Sequence, residues 1–448
     1  MSAAELSDRL GTRVLIGLAS GIILGLVVRG VLAVIPGWEE AVVRFASQVL
    51  WPLGNIFLRM LFFVVIPLVF ASLCLGISQL GKLERLGSLA GKTFALFLLN
   101  MCVGVGLGLL FMNVAQPGAS ISEEVRQALL SDSASIEQAA RLQARSEEIR
   151  STGLGVQTIV DMFLPANLFG AVAGSSPDRL GNMLALIVFA LMVGAAATTL
   201  SPDRRKGFEF MMQTLGELMT TIVFWAMRLA PFAVAALISS VVIRFGADYL
   251  RALGFFTLGV VFVIALHLFG TMSLLVKVLG RRSPIVFFGA VRTILVTAFS
   301  TSSSSATLPT TIAITRERLG VSAPVSGFVL PLGATLNMSG SALFEGCVVL
   351  FIAQVYGIDL SITQQLTLLL LAVVTATAVA GIPGGTLPFI VGLLVTFGIP
   401  PEGIALVLGV DRLLDMCRTT LNVGADVAVA TVVDRFESRA ASDANPAA

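Results

Sequence analysis

Charge is scarce in this sequence. Asp, Glu, Lys and Arg make up 12% of its 448 residues, about half the share of a soluble domain, and 56% of the chain is hydrophobic. That composition describes a polytopic membrane protein. The net charge is only +2, so the basic excess that nucleic-acid binding needs is missing. Cysteine is sparse too: Cys74, Cys102, Cys347 and Cys417 all lie in apolar segments without paired or metal-ligand spacing, which argues against a disulfide frame or a zinc site. The single histidine, His267, sits within VFVIALHLFGTM and reads as a side chain packed in a helix bundle. With no second histidine and no nucleophile elbow, hydrolase chemistry has little support, and no cofactor is expected.

What the chain has is long apolar runs. The first, Val14 to Ile35, exceeds a signal-peptide core of about 7 to 15 residues and lacks a small-residue cleavage site, so it is expected to remain as a span, with Arg29 snorkelling from its outer end. Further spans are expected within Ala41 to Leu80, at Thr93 to Val114, at Met183 to Leu200, and over the longer stretches Phe210 to Ile243 and Phe255 to Leu279. Basic residues before the first span (Arg9, Arg13), after the second (Lys82, Arg85, Lys92), in SPDRRKG and at Arg281 and Arg282 place those points in the cytoplasm. The polar segment Gln116 to Gly155 is then outside, although Arg126, Arg141, Arg145 and Arg150 count against that placement. It reads as a short surface helix flanked by flexible chain.

Two later runs are broken. Ile285 to Ile314 is interrupted by STSSSSATLP and bounded on both sides by basic clusters, so it must enter and return. Thr363 to Phe397, interrupted by AGIPGGTLP, does the same from the opposite face. Non-helical backbone at membrane depth is tolerated only where it is buried in protein or lines a cavity. Between them, Val321 to Tyr356 spans outward through TLNMSGS. The expected architecture is an all-α membrane protein of eight transmembrane helices plus two re-entrant hairpins, arranged as inverted repeats with both termini in the cytoplasm. Paired Gly/Pro-interrupted segments of this kind point to a midplane binding site in a transporter.

The last span, Gly409 to Ala430, carries the charges that the others lack. On a helix advancing roughly 100° per residue, Asp411, Asp415, Arg418, Asn422 and Asp426 fall within an arc of roughly 80°. Ionisable groups at membrane depth usually mark a substrate or ion path, though an amphipathic surface helix or structural ion pairs would give the same pattern. Arg418 can hold a carboxylate bidentately. Asp415, three residues earlier, could meet a ligand ammonium or simply Arg418. The serine-rich tip offers hydroxyls and backbone N–H groups to a carboxylate, or small residues for helix packing. The unwound turn in TLNMSGS frees carbonyls that suit sodium, or is a kink.

Taken in order, STSSSSATLP, NMSGS, AGIPGG and DRLLDMCRTTLNVGAD resemble the dicarboxylate/amino acid:cation symporters, the glutamate transporter family, over nearly the whole chain. The resemblance implies a homotrimer in a plasma (inner) membrane that works as an elevator. Residues 1–80 and 115–245 would form the scaffold, 81–114 and 255–436 the moving transport part, and 437–448 a cytoplasmic tail. It implies that Arg418 binds the substrate's side-chain carboxylate, Asp415 its amino group, and Asn422 with Thr419 its α-carboxylate. Ser304 and Ile382 would contribute hairpin backbone, with Ser341 standing where threonine is commoner. One sodium site would comprise Asp426 with carbonyls of Gly333, Asn337 and Asn422. Another would comprise Thr335 and Met338 with carbonyls of Ala376, Thr377 and Val379.

The match has departures. Ser339 stands where the family has aspartate, and Asn100 and Met101 replace a hydroxyl-bearing pair, so a third sodium site looks dismantled. Ser302 replaces a tip arginine, a charge that Arg412 could supply for gating. Glu345 occupies the position at which proton-coupled members keep a glutamate. Burial disfavours the charged form of a carboxyl, which suits proton loading, while a hydrogen-bonded structural glutamate would look the same in sequence. The expected function is uptake of aspartate or glutamate with sodium, protons or both. A C4-dicarboxylate carrier is the alternative within the family, and an anion channel or membrane sensor the alternative outside it.

Overall fold

The computed structural model describes residues 3–83, 88–121, 127, 164–173, 183–379 and 384–444. Ile382 and nearly all of the polar segment after 121 lie outside them. The described residues are almost all helical, with no strand.

Helix α1 (Ala3–Val34) is followed by α2 (Glu39–Phe45), a π turn at Ala46–Leu50, α3 (Trp51–Leu83) and α4 (Ser88–Ala115). After the short α5 (Leu168–Ala173) come α6 (Met183–Thr198), the 44-residue α7 (Pro202–Phe245) and α8 (Ala247–Ala265). A second π turn, Leu266–Thr271, leads to α9 (Met272–Val278). Helix α10 (Pro284–Thr301) pairs with α11 (Ser304–Leu319), and α12 (Ala323–Leu336) breaks into α13 (Ser339–Val355). Helices α14 (Ile362–Ala376) and α15 (Leu387–Thr396) precede the last, α16 (Ala405–Ala444).

Seven of the described helical stretches are long and apolar enough to cross a membrane: Thr12–Leu32, Glu39–Ser78, Leu89–Ser120, Pro202–Arg244, Tyr249–Val278, Pro284–Thr301 and Ala323–Val355. They differ from the eight expected spans in three ways. Helix α6 has only 16 residues, short of the roughly 20 that cross a bilayer upright. The first arm of the serine-tipped pair qualifies by length, and α16 does not, because its polar stripe lowers its hydropathy.

The helices associate in two groups. Helix α7 lies against both α1 and α3, and α3 against α6. The α1–α7 contact is close: a methyl on Gly17 would stand 2.3 Å from the Pro231 carbonyl oxygen, and one on Gly21 2.8 Å from that of Ala235. Glycines four residues apart let helix backbones approach where lipid supplies no hydrophobic drive for association. Arg29, near the end of α1, reaches the end of α7. Its guanidinium donates to the carbonyls of Ile243 (2.8 Å) and Arg244 (3.2 Å), filling the unpaired acceptors at the C-terminus of α7. Arg205, paired with Glu209 at 3.1 Å, donates to the Ser78 carbonyl and ties the start of α7 to the end of α3.

The second group gathers round α16, against which α10, α11, α12 and α13 all pack, with α4 along α13 and α14. Its polar stripe therefore turns into protein. Asp411, Arg412, Asp415, Arg418, Thr419, Asn422 and Asp426 are all buried.

Candidate functional site

The arginine at the centre of the stripe is one of the least exposed side chains of the molecule, at 1%. Its Nη1 donates to Asp411 Oδ1 at 3.0 Å and its Nη2 to Asp415 Oδ1 at 2.8 Å, while the guanidinium plane lies 4.0 Å from the centre of the Phe344 ring. Two carboxylates and an aromatic face offset the loss of water that would make a lone buried cation untenable. Spacings of three and seven residues bring Asp415 and Asp411 onto the Arg418 face of one helix. The other oxygen of Asp415 lies 3.6 Å from Arg412 Nη1 and accepts from the Gly384 N–H at 3.3 Å, where the chain enters α15. Both hands of the fork are thus engaged internally.

Close by, the α12–α13 break is held open by α16. Asn422 Oδ1 accepts from the Gly340 N–H at 2.7 Å, and its Nδ2 donates to Met338 Sδ at 3.3 Å. Position 340 cannot carry a side chain without displacing α16, because a methyl there would come within 2.5 Å of the Arg418 carbonyl oxygen. One turn further along α16, Asp426 Oδ1 accepts from Asn337 Nδ2 at 2.9 Å and sits where a Gly333 methyl would be, at 2.4 Å. Asp426, Gly333 and Asn337 therefore meet, and a carboxylate beside an interrupted helix supplies hard oxygen ligands of the kind that cations take.

Other expected ligands are less gathered. Thr335 is exposed, and its hydroxyl donates to the Leu332 carbonyl of its own helix at 2.9 Å. Thr377 is half-buried and turns its hydroxyl to Val374. The Ala376 carbonyl accepts the Val379 N–H at 3.2 Å, leaving it one lone pair. At the serine tip Ser303 caps α11, accepting from the Ala306 N–H at 3.2 Å, so that hydroxyl serves the helix. Ser302 takes a left-handed backbone (φ 49°), and its buried hydroxyl, unlike that of Ser303, has no partner among the described residues. Ser304 is buried in the first turn of α11. Ser341 meets the Thr386 hydroxyl at 3.4 Å, which joins α13 to the turn before α15. Thr419 is buried on α16.

Glu345 is wholly buried on α13. Its Oε2 is 2.6 Å from the Thr375 hydroxyl, which also lies 2.7 Å from the Leu371 carbonyl. That hydroxyl has a single hydrogen for two acceptors. If Glu345 is ionised, Thr375 donates to it. If Glu345 is protonated, it donates to Thr375, which turns its own hydrogen to Leu371. The pair accommodates either state with no movement of heavy atoms.

Sequence reasoning missed several partners. Asp411 has no assigned role in the stripe read from sequence, although its distance of seven residues from Arg418 announces the contact. Phe344, Thr375 and Gly384 carry no signal of their own and are brought in by packing of separate segments. A small cavity separates Asp411, Arg412 and Asp415 from Phe57, Met227 and Val234, so the site faces the first helix group across an apolar wall.

The model of the sodium:dicarboxylate symporter family matches residues 10–436. A proton/sodium-glutamate symport protein of Bacillus caldotenax is 32% identical over 427 residues, 95% of either chain. A proton/glutamate-aspartate symporter of Escherichia coli K12 is 32% identical over 392 residues, 88% of this chain and 86% of its own. A neutral amino acid transporter B(0) of Oryctolagus cuniculus is 30% identical over 453 residues, 95% of this chain and 80% of its own.

Proposed function

Because the chain belongs to the sodium:dicarboxylate symporter family, we propose that it takes up an acidic amino acid, aspartate or glutamate, by secondary active symport with sodium, protons or both. The observation that carries this reading is Arg418, buried between two aspartates beside the broken α13. A substrate side-chain carboxylate replaces one aspartate on the guanidinium fork, and Asp415, so released, meets the substrate ammonium. Asn422 and Thr419 lie along α16 for the α-carboxylate, with Ser341 on α13 and Ser304 on the serine-tipped hairpin bordering the site; Ile382, outside the described residues, is assigned the same role on the resemblance alone.

Asp426, with carbonyls of Gly333, Asn337 and Asn422, holds one sodium, and the Thr335, Met338, Ala376, Thr377 and Val379 set a second. Glu345 takes the proton, supported by the two-way hydrogen bond with Thr375. Arg412, beside Asp415, is the gating charge. Transport follows an elevator scheme in which eight spans and two re-entrant hairpins, α10–α11 and α14–α15, form inverted repeats. The group around α16 slides against α1, α3, α6 and α7. The chain works as a homotrimer in the inner membrane with both termini in the cytoplasm.

Uptake of labelled aspartate into proteoliposomes, with sodium and pH gradients imposed separately, tests this reading. Accumulation against the aspartate gradient is expected. Flux that never exceeds equilibrium would indicate a channel, and competition by succinate equal to that by unlabelled aspartate would indicate a dicarboxylate carrier, for which Asp415 has no ammonium to meet.

A further inference from the structure

The seam between α1 and α7 has a charged end that the Arg418 site does not use. Gly17 lies against Pro231, Gly21 against Ala235, and Arg29 against the carbonyls of Ile243 and Arg244, so the two helices run parallel in one register. That register sets Arg13 beside Met227 and Arg228. Val14 and Met227 turn into the small cavity that also borders Asp411, whereas Arg13 and Arg228 are exposed, so the two guanidiniums share the other side of the seam. Neither has a hydrogen-bond or ion-pair partner among the described residues. The sequence puts no Asp or Glu within one turn of either. The nearest carboxylate of α7, Glu217, stands about three turns away and accepts from Gln213 Nε2 at 3.0 Å.

Two cations held side by side repel each other, and an anion between them relieves the repulsion. Their depth says which kind. From Arg228 to Arg244 α7 rises about 24 Å, and the apolar run of α1 begins directly after Arg13. In a hydrocarbon layer about 30 Å thick the pair lies near one edge, where long basic side chains snorkel to the headgroups. Trp225, one turn before Arg228, is exposed as aromatic residues at that boundary are. Toward the opposite edge the exposed neighbours are apolar: Ile16 and Leu24 on α1, Leu229 and Phe232 on α7. A soluble anion gains nothing from such neighbours, whereas the acyl chains of a phospholipid run along them. Guanidinium forks match the oxygens of a phosphate, and a zwitterionic headgroup brings a cation of its own that the pair repels. We propose that Arg13 and Arg228 bind the phosphate of an anionic phospholipid of the phosphatidylglycerol class, in the leaflet that holds the start of α1. On the orientation proposed above, that is the cytoplasmic leaflet. The site is independent of which substrate the chain carries.

Full-length protein in phosphatidylcholine nanodiscs, with and without phosphatidylglycerol, tests this through the melting temperature and through native mass spectrometry of the lipid retained. The wild type is expected to melt higher with phosphatidylglycerol and to keep it in preference to phosphatidylcholine. In R13Q/R228Q that preference is expected to fall about thirtyfold, and in R13K/R228K, which keeps both charges, to fall far less. An equal preference in the wild type and the glutamine variant overturns the proposal. So does stabilisation by soluble glycerol phosphate that equals stabilisation by phosphatidylglycerol, which would make the pair a site for free anions. Loss of oligomers in the glutamine variant, seen in the same spectra, would assign the pair to contact between copies of the chain and overturn it as well. Should R13Q/R228Q not fold, high salt applied to the wild type takes its place: a preference that persists undiminished there excludes charge pairing as its origin. None of these measurements reads aspartate uptake, so they stand or fall apart from the symport reading.

Discussion

The two helix groups cohere differently. Around α7, contact is a matter of shape: Gly17 and Gly21 let α1 approach the backbone of α7, and hydroxyls such as Ser239 donate to nearby carbonyls (Gly21, 3.2 Å). Around α16, contact is a matter of charge and amide pairing: Asp411, Asp415, Arg418, Asn422 and Asp426 each hold a named partner across or along the helix. In an environment without water, shape makes a wall that resists change. Charge makes a site that is stable only while every member keeps its partner, and a ligand that substitutes for one of them can exchange with it.

That contrast can be broken by substitution. The largest effect is expected from Arg418→Ala, which leaves two buried carboxylates without their cation. Losing one member of such a set costs about 3–5 kcal/mol of stability, and losing the cation that pairs with a bound carboxylate costs about 2–5 kcal/mol of binding, so acidic-substrate affinity by calorimetry should fall about a hundredfold. Undiminished aspartate uptake in this variant would remove the substrate assignment. Gly333→Ala comes next. A methyl 2.4 Å from Asp426 Oδ1 must push the carboxylate aside, an overpacking cost of about 1–3 kcal/mol, and the stabilisation of the protein by added sodium should weaken with it. A thermal shift with sodium equal to that of the wild type would dissociate Asp426 from cation binding.

In the other group, Gly21→Ala meets the Ala235 carbonyl at 2.8 Å and should cost a similar ~1–3 kcal/mol in stability while leaving substrate affinity where it was. A fall in affinity that matched the fall in melting temperature would mean that the two groups are not energetically separate. The smallest effect on stability is expected from Glu345→Gln, about 1 kcal/mol or less for replacing one hydrogen-bonded group by a near-isostere. Its signature lies in the pH profile. Proton loading is favoured as pH falls, so uptake that rises toward acid in the wild type should flatten in the variant. An unchanged profile would leave Glu345 a structural role.

The sequence was most legible where one local pattern decides the outcome. The stripe on α16 needs only the 3.6-residue period, and the break at Asn337 and Met338 follows from TLNMSGS. Helix ends were less legible, because hydropathy marks the apolar middle and not the polar turns that continue it: α1 begins at Ala3 and not Val14, and α7 at Pro202 and not Phe210. Contacts between distant segments left no trace at all. Nothing in α14 announces that Thr375 meets Glu345, and nothing in α3 predicts that Phe57 closes the far side of the cavity from Asp411. Arg29 shows the same limit in another form, since its acceptors belong to a helix more than two hundred residues away.

The two aspartates and two arginines of Asp411, Arg412, Asp415 and Arg418 have formal charges that add to zero. On the proposed elevator scheme, an empty carrier can therefore shift this cluster through the low-dielectric interior without dragging net electricity along. An acidic amino acid, with two negative groups against one positive, upsets the tally by one unit, and nothing resident in the cluster restores it. A positive companion has to travel in the same load, so the obligation to co-transport is written into the arithmetic of four side chains.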